Sequence, residues 1–390
     1  MTHSVQIQVN NTPLTIETGK VAKQADGAVV VRCGGTMVLS TVVATKTALE
    51  GRDFLPLTVE YREKAYAGGR IPGGFFKREG RPDEKETLTC RLIDRPLRPL
   101  FPKGFRNEIQ IINLVISADS ENDPDILAMI GSSAAVALSG IPFSGPVGAV
   151  RVALVDGKLV ANPSYKQVAD SPLELVIAGT EDAILMVESG GKEISEERML
   201  EALAFGQEQC RAITRMQKDL LAKAAKPRWA FEPQGADPAL ESRVRELASA
   251  KVSQALSVHE KQARAQALEA IFEEVFAAVG GGDEALKPKV RDYFEKVEKA
   301  EVRRLIVEKG IRVDGRSVKE VRPIWGEVEY LPRAHGSALF TRGETQALVI
   351  ATLGTKDDEQ KIESFEGNMY RRFMLHYNFP SFSTGEVKRF

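Results

Sequence analysis

A short segment of the chain places two aromatic residues directly before two cations. Phe75, Phe76, Lys77 and Arg78 follow one another between glycine pairs and Gly80, which argues against an ordinary buried strand. Exposed aromatic rings can stack on the bases of single-stranded RNA, and neighbouring cations can contact its phosphates. The same rings could instead pack into a core or a subunit interface. The residues alone therefore predict a contact segment without choosing between these roles.

Three arginines come next along the chain, at Arg91, Arg95 and Arg98. Four-residue spacing places the first two on one face of a helix. They could extend a track of cations for RNA phosphates, or they could pair with Asp94, Glu86 or a neighbouring subunit. The sequence leaves both interpretations open.

An acidic run, Asp119–Asp125, precedes an apolar stretch with helical character. Such a density of carboxylates could hold a metal ion. Asp123 and Asp125 could equally cap the helix, because acids are favourable at its positive start. We favour the helix entrance, where the same negative charges would repel a phosphate.

Other kinds of site have little support. The four histidines lack metal-ligand spacing, and no glycine-rich stretch has the pattern of a phosphate-binding P-loop. The three cysteines are odd in number and far apart, which indicates neither a disulfide framework nor a zinc site and fits a reducing cytoplasm. With 53 basic and 54 acidic residues, any nucleic-acid contact must come from local patches.

The elements that position these residues alternate between strand and helix. Runs rich in Val, Ile and Leu predict strands over Val5–Val9, Ala28–Arg32, Met37–Ala44, Ile109–Ser117, Gly148–Leu154 and Leu173–Ala178. Helices are predicted over Glu84–Asp94, Asp125–Leu138 and Ser195–Lys223. The run Ile126–Phe143 lacks basic flanks, so we expect a buried helix there and no membrane span.

Helix boundaries are also marked in the sequence. Asp83 and Glu86 form a capping box, Pro96 and Pro99 should stop the first helix, and Ser195 can cap the third.

The chain changes character after Pro227. Residues 239–279 contain no Gly or Pro and carry apolar residues at helical spacing, which predicts a helical segment. Gly280–Gly282 breaks it, and a further helix runs from Lys287 to Glu308 before Gly310. We expect an all-α insert that joins two other parts.

The strand pattern then returns as a repeat. Ala25–Thr36 (ADGAVVVRCGGT) aligns with Ala334–Thr345 (AHGSALFTRGET) at a constant offset of 309 residues, and Leu39 aligns with Leu348. Repeated spacing of this kind indicates a duplicated domain. The first copy uses about 220 residues whereas the second has only residues 311–390, so we expect the second copy to be incomplete.

Several long strings resemble the polynucleotide phosphorylase family over essentially the whole chain. They are Gly73–Pro82 (GGFFKREGRP), Arg91–Pro102 (RLIDRPLRPLFP), Arg312–Arg316 (RVDGR), His335–Thr345 (HGSALFTRGET) and His376–Pro380 (HYNFP). The resemblance implies an α/β (α+β) fold: an RNase PH-like β-α-β domain, duplicated, with an all-α linker domain between the copies. We expect the first copy over 1–225, the linker over 226–310, and a truncated second copy over 311–390. We expect no KH or S1 module of the family within these 390 residues.

The resemblance also implies an activity. In this family inorganic phosphate attacks the 3′-terminal linkage of single-stranded RNA and releases nucleoside diphosphates, and the reverse reaction extends RNA. Mg²⁺ or Mn²⁺ assists, three subunits form a ring in the cytoplasm, and other RNA-degradation proteins are expected partners. The family places residues 75–78 at the mouth of a channel, which favours RNA for Phe75, Phe76, Lys77 and Arg78.

The first copy lacks the features that the family's active copy would need. The family has a Ser-rich helix start for phosphate, where this chain has the acidic run ending at Asp125. The family's Asp-x-Asp-x-Lys strand corresponds to Pro172–Val176, where Glu174 keeps a carboxylate and Val176 cannot act as the cation. We therefore expect a silent first copy, no catalytic residue within the chain, and the catalytic groups and metal ligands beyond Phe390.

Two other functions stay open. The chain could be a non-catalytic RNA-binding or ring-forming scaffold, which phosphate-dependent activity would distinguish from an enzyme. A small-molecule kinase of similar layout would need a phosphate loop that the sequence does not contain.

Overall fold

The computed structural model describes residues 1–10, 12–48, 54–73, 77–119, 121–231, 237–364 and 367–387. The chain divides into two compact units, Met1–Pro233 with Glu359–Phe390, and Gln234–Asp358. Each unit contains a hydrophobic cluster of its own.

The described part of the first unit contains two main sheets besides a two-stranded hairpin, and the larger of the two has six strands. They are β1 (His3–Val9), β2 (Thr12–Thr18), β3 (Gly27–Cys33), β4 (Thr36–Ala48), β5 (Leu57–Glu63) and β6 (Asn107–Ser117). The strand order is β1-β2-β3-β4-β6-β5, with β5 and β6 parallel and the other neighbours antiparallel. Buried and less buried residues alternate along β4 and β6, because one face of the sheet packs into the core.

The smaller sheet contains β7 (Gly148–Val155), β8 (Lys158–Ala161), β9 (Leu173–Gly179) and β10 (Ile184–Gly191), in the order β10-β9-β7-β8. Its neighbouring strands are antiparallel. The strands predicted from the sequence in both sheets are confirmed.

The helices of the first unit are α1 (Glu84–Leu97), α2 (Pro124–Ser139), α3 (Tyr165–Asp170) and α4 (Glu196–Ala224). Helix α2 contacts β3 and β4 of the larger sheet and β7 of the smaller one, and nearly all of its residues are buried. This position explains why the helix carries no charged residue after Asp125. No helix in the described part of the chain combines the length and apolar character needed to cross a bilayer.

The predicted helix starts are confirmed, but one predicted stop is wrong. The Asp83 side chain accepts a hydrogen bond from the Glu86 N–H, and Glu86 accepts one from the Asp83 N–H; Ser195 caps α4. Pro96 lies inside α1, which continues to Leu97. A proline in the last turn removes one helical hydrogen bond, and the burial of Pro96 and Leu97 offsets that loss.

The second unit begins with α5 (Pro238–Ala255), α6 (Lys261–Gly280) and α7 (Lys287–Lys309). The sequence predicted a helical segment over 239–279, and the structure divides it at residues 256–260. Glu260 caps α6 by accepting hydrogen bonds from the N–H groups of Gln262 and Ala263. Because the Glu260 carboxylate pairs with these two N–H groups, a new helix can begin at Lys261 although the segment contains neither Gly nor Pro.

The repeat is confirmed at the level of strand pairing. The second unit contains an antiparallel sheet of β11 (Ile324–Val328), β12 (Gly336–Arg342) and β13 (Thr345–Ala351). Gly27 pairs with Val42 in the first copy, and Gly336 pairs with Ala351 in the second, at the offset of 309 residues. A further hairpin, β14 (Gln360–Ser364) and β15 (Gly367–Arg371), belongs to the first unit.

Candidate functional site

The start of α2 is the place where the acidic run meets the fold. Asp123 is the N-cap residue and accepts a hydrogen bond from the Asp125 N–H at 3.3 Å. Pro124 follows in the first turn. Backbone N–H groups have no helical partner there, so the missing N–H of proline costs no hydrogen bond. Asp125 is only 5% exposed, so its carboxylate needs a partner inside the protein.

Arg151 on β7 is that partner. Its guanidinium lies 3.2 Å from the Asp123 carboxylate and also contacts the carboxylates of Asp125 and Glu174. Arg151 is itself 8% exposed. We call these four residues, Asp123, Asp125, Arg151 and Glu174, the arginine cluster.

The strand register explains why the cluster forms here. Strands β7 and β9 are antiparallel, and Arg151 lies directly opposite Val176. Val176 is the position at which the sequence predicts that a cation is missing, and Glu174 is the carboxylate predicted to remain. In the structure, Arg151 on the neighbouring strand contacts Glu174 and is also held by Asp123 and Asp125.

Burial and neighbouring charges shift the pKa values of Arg151 and Asp125 in opposite directions. Burial alone would lower the pKa of Arg151, but the adjacent carboxylates of Asp125, Asp123 and Glu174 raise it well above its usual range. Burial raises the pKa of Asp125, and the charge of Arg151 opposes that rise. Removal of Arg151 would leave buried acids without compensation.

A second acid with largely buried surroundings, Glu63, lies at the end of β5. The Tyr61 hydroxyl donates to Glu63 at 2.8 Å, and Lys85 lies 2.9 Å from the same carboxylate. Burial raises the pKa of Glu63 while Lys85 opposes the rise. At the offset of 309 residues, Glu63 corresponds to Arg372, so the second copy has a cation where the first has an acid.

Asp119 holds the loop before α2 against the β3–β4 turn. Its carboxylate accepts hydrogen bonds from the N–H groups of Gly35 and Asn122, both at 2.7 Å, and from the Thr36 hydroxyl at 3.1 Å. Burial alone would raise the pKa of Asp119, but bonds from the backbone of Asn122 and Glu121, and then from the Asn122 side chain and Gly35, lower it. The Asp119 carboxylate therefore has a structural role, because it holds this loop to the β3–β4 turn.

The space beside the arginine cluster is small. A cavity of about 10 Å³ is lined by Cys33, Asn122, Asp123, Arg151 and Asn162, among others. That volume holds about one water molecule and no phosphate. Burial raises the pKa of the Cys33 thiol to about 11, which makes it a poor nucleophile.

The contacts of the acidic run agree with the helix-entrance interpretation. Asp119 binds backbone groups, and Asp123 and Asp125 bind Arg151. Within the described ranges, no group of three or more His, Cys, Asp or Glu side chains could hold a metal ion.

The predicted RNA-contact residues differ in their surroundings. Phe75 and Phe76 lie outside the described residues. Lys77 and Arg78 are exposed, as is Arg91 on α1.

The other two arginines have acidic partners within the first unit. Arg95 lies 2.6 Å from Glu188, with both side chains more than half exposed. Arg98 pairs with Asp94 at 2.9 Å and donates to the Leu55 and Leu57 carbonyls. Those bonds give Arg98 a role in the fold, and RNA contact by the three arginines stays a prediction.

Sequence reasoning identified Glu174 and Val176 but missed Arg151. A signal was present, because Arg151 interrupts an otherwise apolar strand, Gly148–Val155. A charge in such a run requires a buried partner of opposite sign. The partners lie 26 and 23 residues away at Asp125 and Glu174, so spacing alone could not name them.

Family descriptions match the chain in several places. "3′ exoribonuclease family, domain 1" matches residues 11–142 and 320–390, together just over half of the chain. "3′ exoribonuclease family, domain 2" matches residues 145–209. "Polyribonucleotide nucleotidyltransferase, RNA binding domain" matches residues 239–317. One domain description thus matches on both sides of the helical segment, as the duplication predicts.

Curated relatives are similar along nearly the whole chain. The polyribonucleotide nucleotidyltransferase of Geotalea daltonii is 52% identical over 387 residues, which cover 99% of this chain and 56% of that protein. The protein of that name from Caulobacter vibrioides is 52% identical over 387 residues, covering 98% and 54%. The one from Acidiphilium cryptum is 53% identical over 377 residues, covering 96% and 52%. The chain spans about half the length of these relatives.

A solved structure of Rrp46 from rice (Oryza sativa) aligns with 55% of this chain and 98% of that chain, with a TM-score of 0.45 and 15% identity. The family match covers more than half of the residues, and the matched domains occur in the expected order. The chain belongs to the 3′ exoribonuclease family.

Proposed function

We propose that the chain acts in phosphorolytic 3′-to-5′ degradation of single-stranded RNA. Inorganic phosphate would attack the terminal linkage and release a nucleoside diphosphate, and the reverse reaction would extend RNA. Family membership and the shared name of the similar relatives support this proposal. We retain the predicted domains over 1–225, 226–310 and 311–390 as part of it.

Within that activity, we infer that the first domain contacts RNA and performs no chemistry. The arginine cluster is the observation that supports this division. Arg151 and three carboxylates fill the start of α2, where a phosphate would need free N–H groups and a net positive charge. A phosphate entering there would have to displace a buried, multiply paired guanidinium.

The RNA contact is assigned to Phe75, Phe76, Lys77 and Arg78, with Arg91, Arg95 and Arg98 as an extension. The exposure of Lys77, Arg78 and Arg91 supports this assignment, since phosphate contacts need accessible cations. The match of residues 239–317 to a domain described as RNA binding supports a second contact in the helical linker.

A divalent metal, Mg²⁺ or Mn²⁺, belongs to the proposed reaction. The carboxylates of the arginine cluster do not fit it, because Arg151 already engages all three. No catalytic step is therefore assigned to a metal here, and we propose that its ligands lie beyond Phe390. A cytoplasmic homotrimer and other RNA-degradation proteins complete the proposal. Cys33, Cys90 and Cys210, all in the described part of the chain, are free thiols, which fits a reducing compartment.

A non-catalytic RNA-binding or ring-forming scaffold is the second candidate for the 390 residues themselves. The arginine cluster favours the scaffold. Its own carboxylates hold Arg151, which is therefore not free for phosphate chemistry, while RNA can still bind elsewhere on the surface of the domain.

The test uses the purified 390-residue chain with poly(A) and inorganic phosphate. We expect no release of ADP above background, together with measurable binding of a fluorescent oligoadenylate in the same buffer. Phosphate-dependent ADP release would overturn the silent first domain. A failure to bind RNA would overturn the RNA contact, and the two results are independent of each other.

A further inference from the structure

The cations of the proposed RNA-contact segment lie beside an acid. Glu79 directly follows Lys77 and Arg78, and all three residues are exposed. If Glu79 acted only through its charge, it would weaken the attraction of this segment for RNA phosphates. Its contacts indicate a different role.

Glu79 ties its own segment to residues that lie far back along the chain. One carboxylate oxygen lies 2.6 Å from the Lys64 ammonium, and the other accepts a hydrogen bond from the Ala65 N–H at 2.8 Å. Ala65 begins a short 3₁₀ turn, Ala65–Gly68, so Glu79 also satisfies a backbone donor at the start of that turn.

Two further observations support an anchoring role. Burial alone would raise the pKa of Glu79, but the hydrogen bonds from Lys64 and Ala65 lower it, so the carboxylate stays charged at neutral pH. Lys77 has a φ of 49°, a left-handed conformation that is unfavourable for a lysine and persists only where neighbouring contacts hold it. Glu79 supplies such contacts two residues away.

We propose that Glu79 is a positioning residue that holds Lys77 and Arg78 where they meet RNA phosphates. This inference rests on the proposed RNA contact. An anchored segment loses less conformational freedom when RNA binds, and that saving outweighs the repulsion from one carboxylate that is already paired with Lys64.

Two variants with the same charge change separate anchoring from charge. Glu79→Ala removes the negative charge and both contacts, whereas Glu79→Gln removes the charge but keeps one oxygen, which can still accept from the Ala65 N–H. We expect Glu79→Ala to weaken binding of a fluorescent oligoadenylate about threefold or more. Glu79→Gln should bind within about twofold of the unmodified chain.

Salt dependence gives a readout that a purely structural role would not change. For Glu79→Ala, the slope of log Kd against log salt concentration should fall by about 0.7 for each RNA phosphate that Lys77 or Arg78 no longer neutralises, although the chain has become more positive. Melting temperatures of both variants should stay within about 2 °C of the parent, because the ion pair is partly exposed. If Glu79→Ala fails to fold, Glu79→Asp replaces it, since a shorter side chain keeps the charge but cannot span both partners.

The double variant Lys77→Ala with Arg78→Ala separates the two hypotheses. If it binds RNA as well as the parent does, the RNA contact is wrong and the role of Glu79 falls with it. If it binds more weakly while Glu79→Ala and Glu79→Gln both bind equally or more tightly than the parent, the RNA contact stands and the positioning role is wrong.

Discussion

The repeated hairpins β3–β4 and β12–β13 pair their strands in the same register but have different surroundings. Val31 is fully buried in the first copy, whereas Phe340, its counterpart at the offset of 309 residues, is 44% exposed. Helix α2 packs against β3 and β4 in the first unit. The local pattern therefore determines strand pairing, while helices distant in the sequence determine burial.

The turns of the two hairpins also share a local conformation but differ in their contacts with the rest of the chain. Gly34 and Gly343 both have positive φ values, 57° and 62°, so each turn needs a glycine there. The next residue is Gly35 in the first copy, where its N–H donates to Asp119, and Glu344 in the second, where the side chain is 71% exposed. In the first copy, the β3–β4 turn is therefore hydrogen-bonded to the loop that leads into α2.

The arginine cluster should give the largest effect. Arg151→Met leaves Asp125 buried without its cation, and we expect a loss of about 3–5 kcal/mol in unfolding free energy by urea titration. Arg215→Met, which breaks an exposed pair with Glu181, should leave the unfolding free energy almost unchanged. Equal effects of the two variants would show that the cluster is not a buried ion network.

Matched glycines give the next largest effect. A Cβ on Gly27 would lie 2.0 Å from the Ala135 carbonyl oxygen of α2, so Gly27→Ala should cost about 1–3 kcal/mol or more. A Cβ on Gly336 would meet only the Ala351 Cβ at 3.4 Å, so Gly336→Ala should be neutral or slightly stabilising. Thermal unfolding of both variants checks the comparison, and a larger loss at Gly336 would contradict it.

The smallest effect concerns pH. The pKa of Asp119 is lowered in the folded chain, so its contribution should be complete above its ordinary value of about 4 and lost as pH falls through the lowered value. Asp119→Asn should cost about 1 kcal/mol at pH 7, since solvent screens this partly exposed group. The difference should shrink towards zero in acid, and a difference independent of pH would refute the charge-based account. Asp182→Asn, at an exposed residue, serves as the control.

Local features of the fold were predictable from the sequence. The alternation in β4, the capping box at Asp83 and the glycines of the repeat all act within a few residues, where pattern and structure are directly linked. The division of the helical segment at Glu260 and the passage of α1 through Pro96 were not predicted. Both depend on which backbone groups find other partners and which side chains reach the core.

The candidate site was predictable only in part. The sequence indicated that the first copy lacks a phosphate site, from the acids at Asp123 and Asp125 and the missing cation at Val176. It could not indicate that Arg151 lies opposite Val176, because that depends on the β7–β9 register. A site built from three elements is determined by topology, and topology is what one sequence shows least.

A crystal structure of the chain grown at high phosphate concentration tests the central claim most directly. We predict that Arg151 remains bound to Asp123, Asp125 and Glu174 and that no phosphate lies at the start of α2. A phosphate bound to the N–H groups of that helix, with Arg151 turned away from the three acids, would contradict the account.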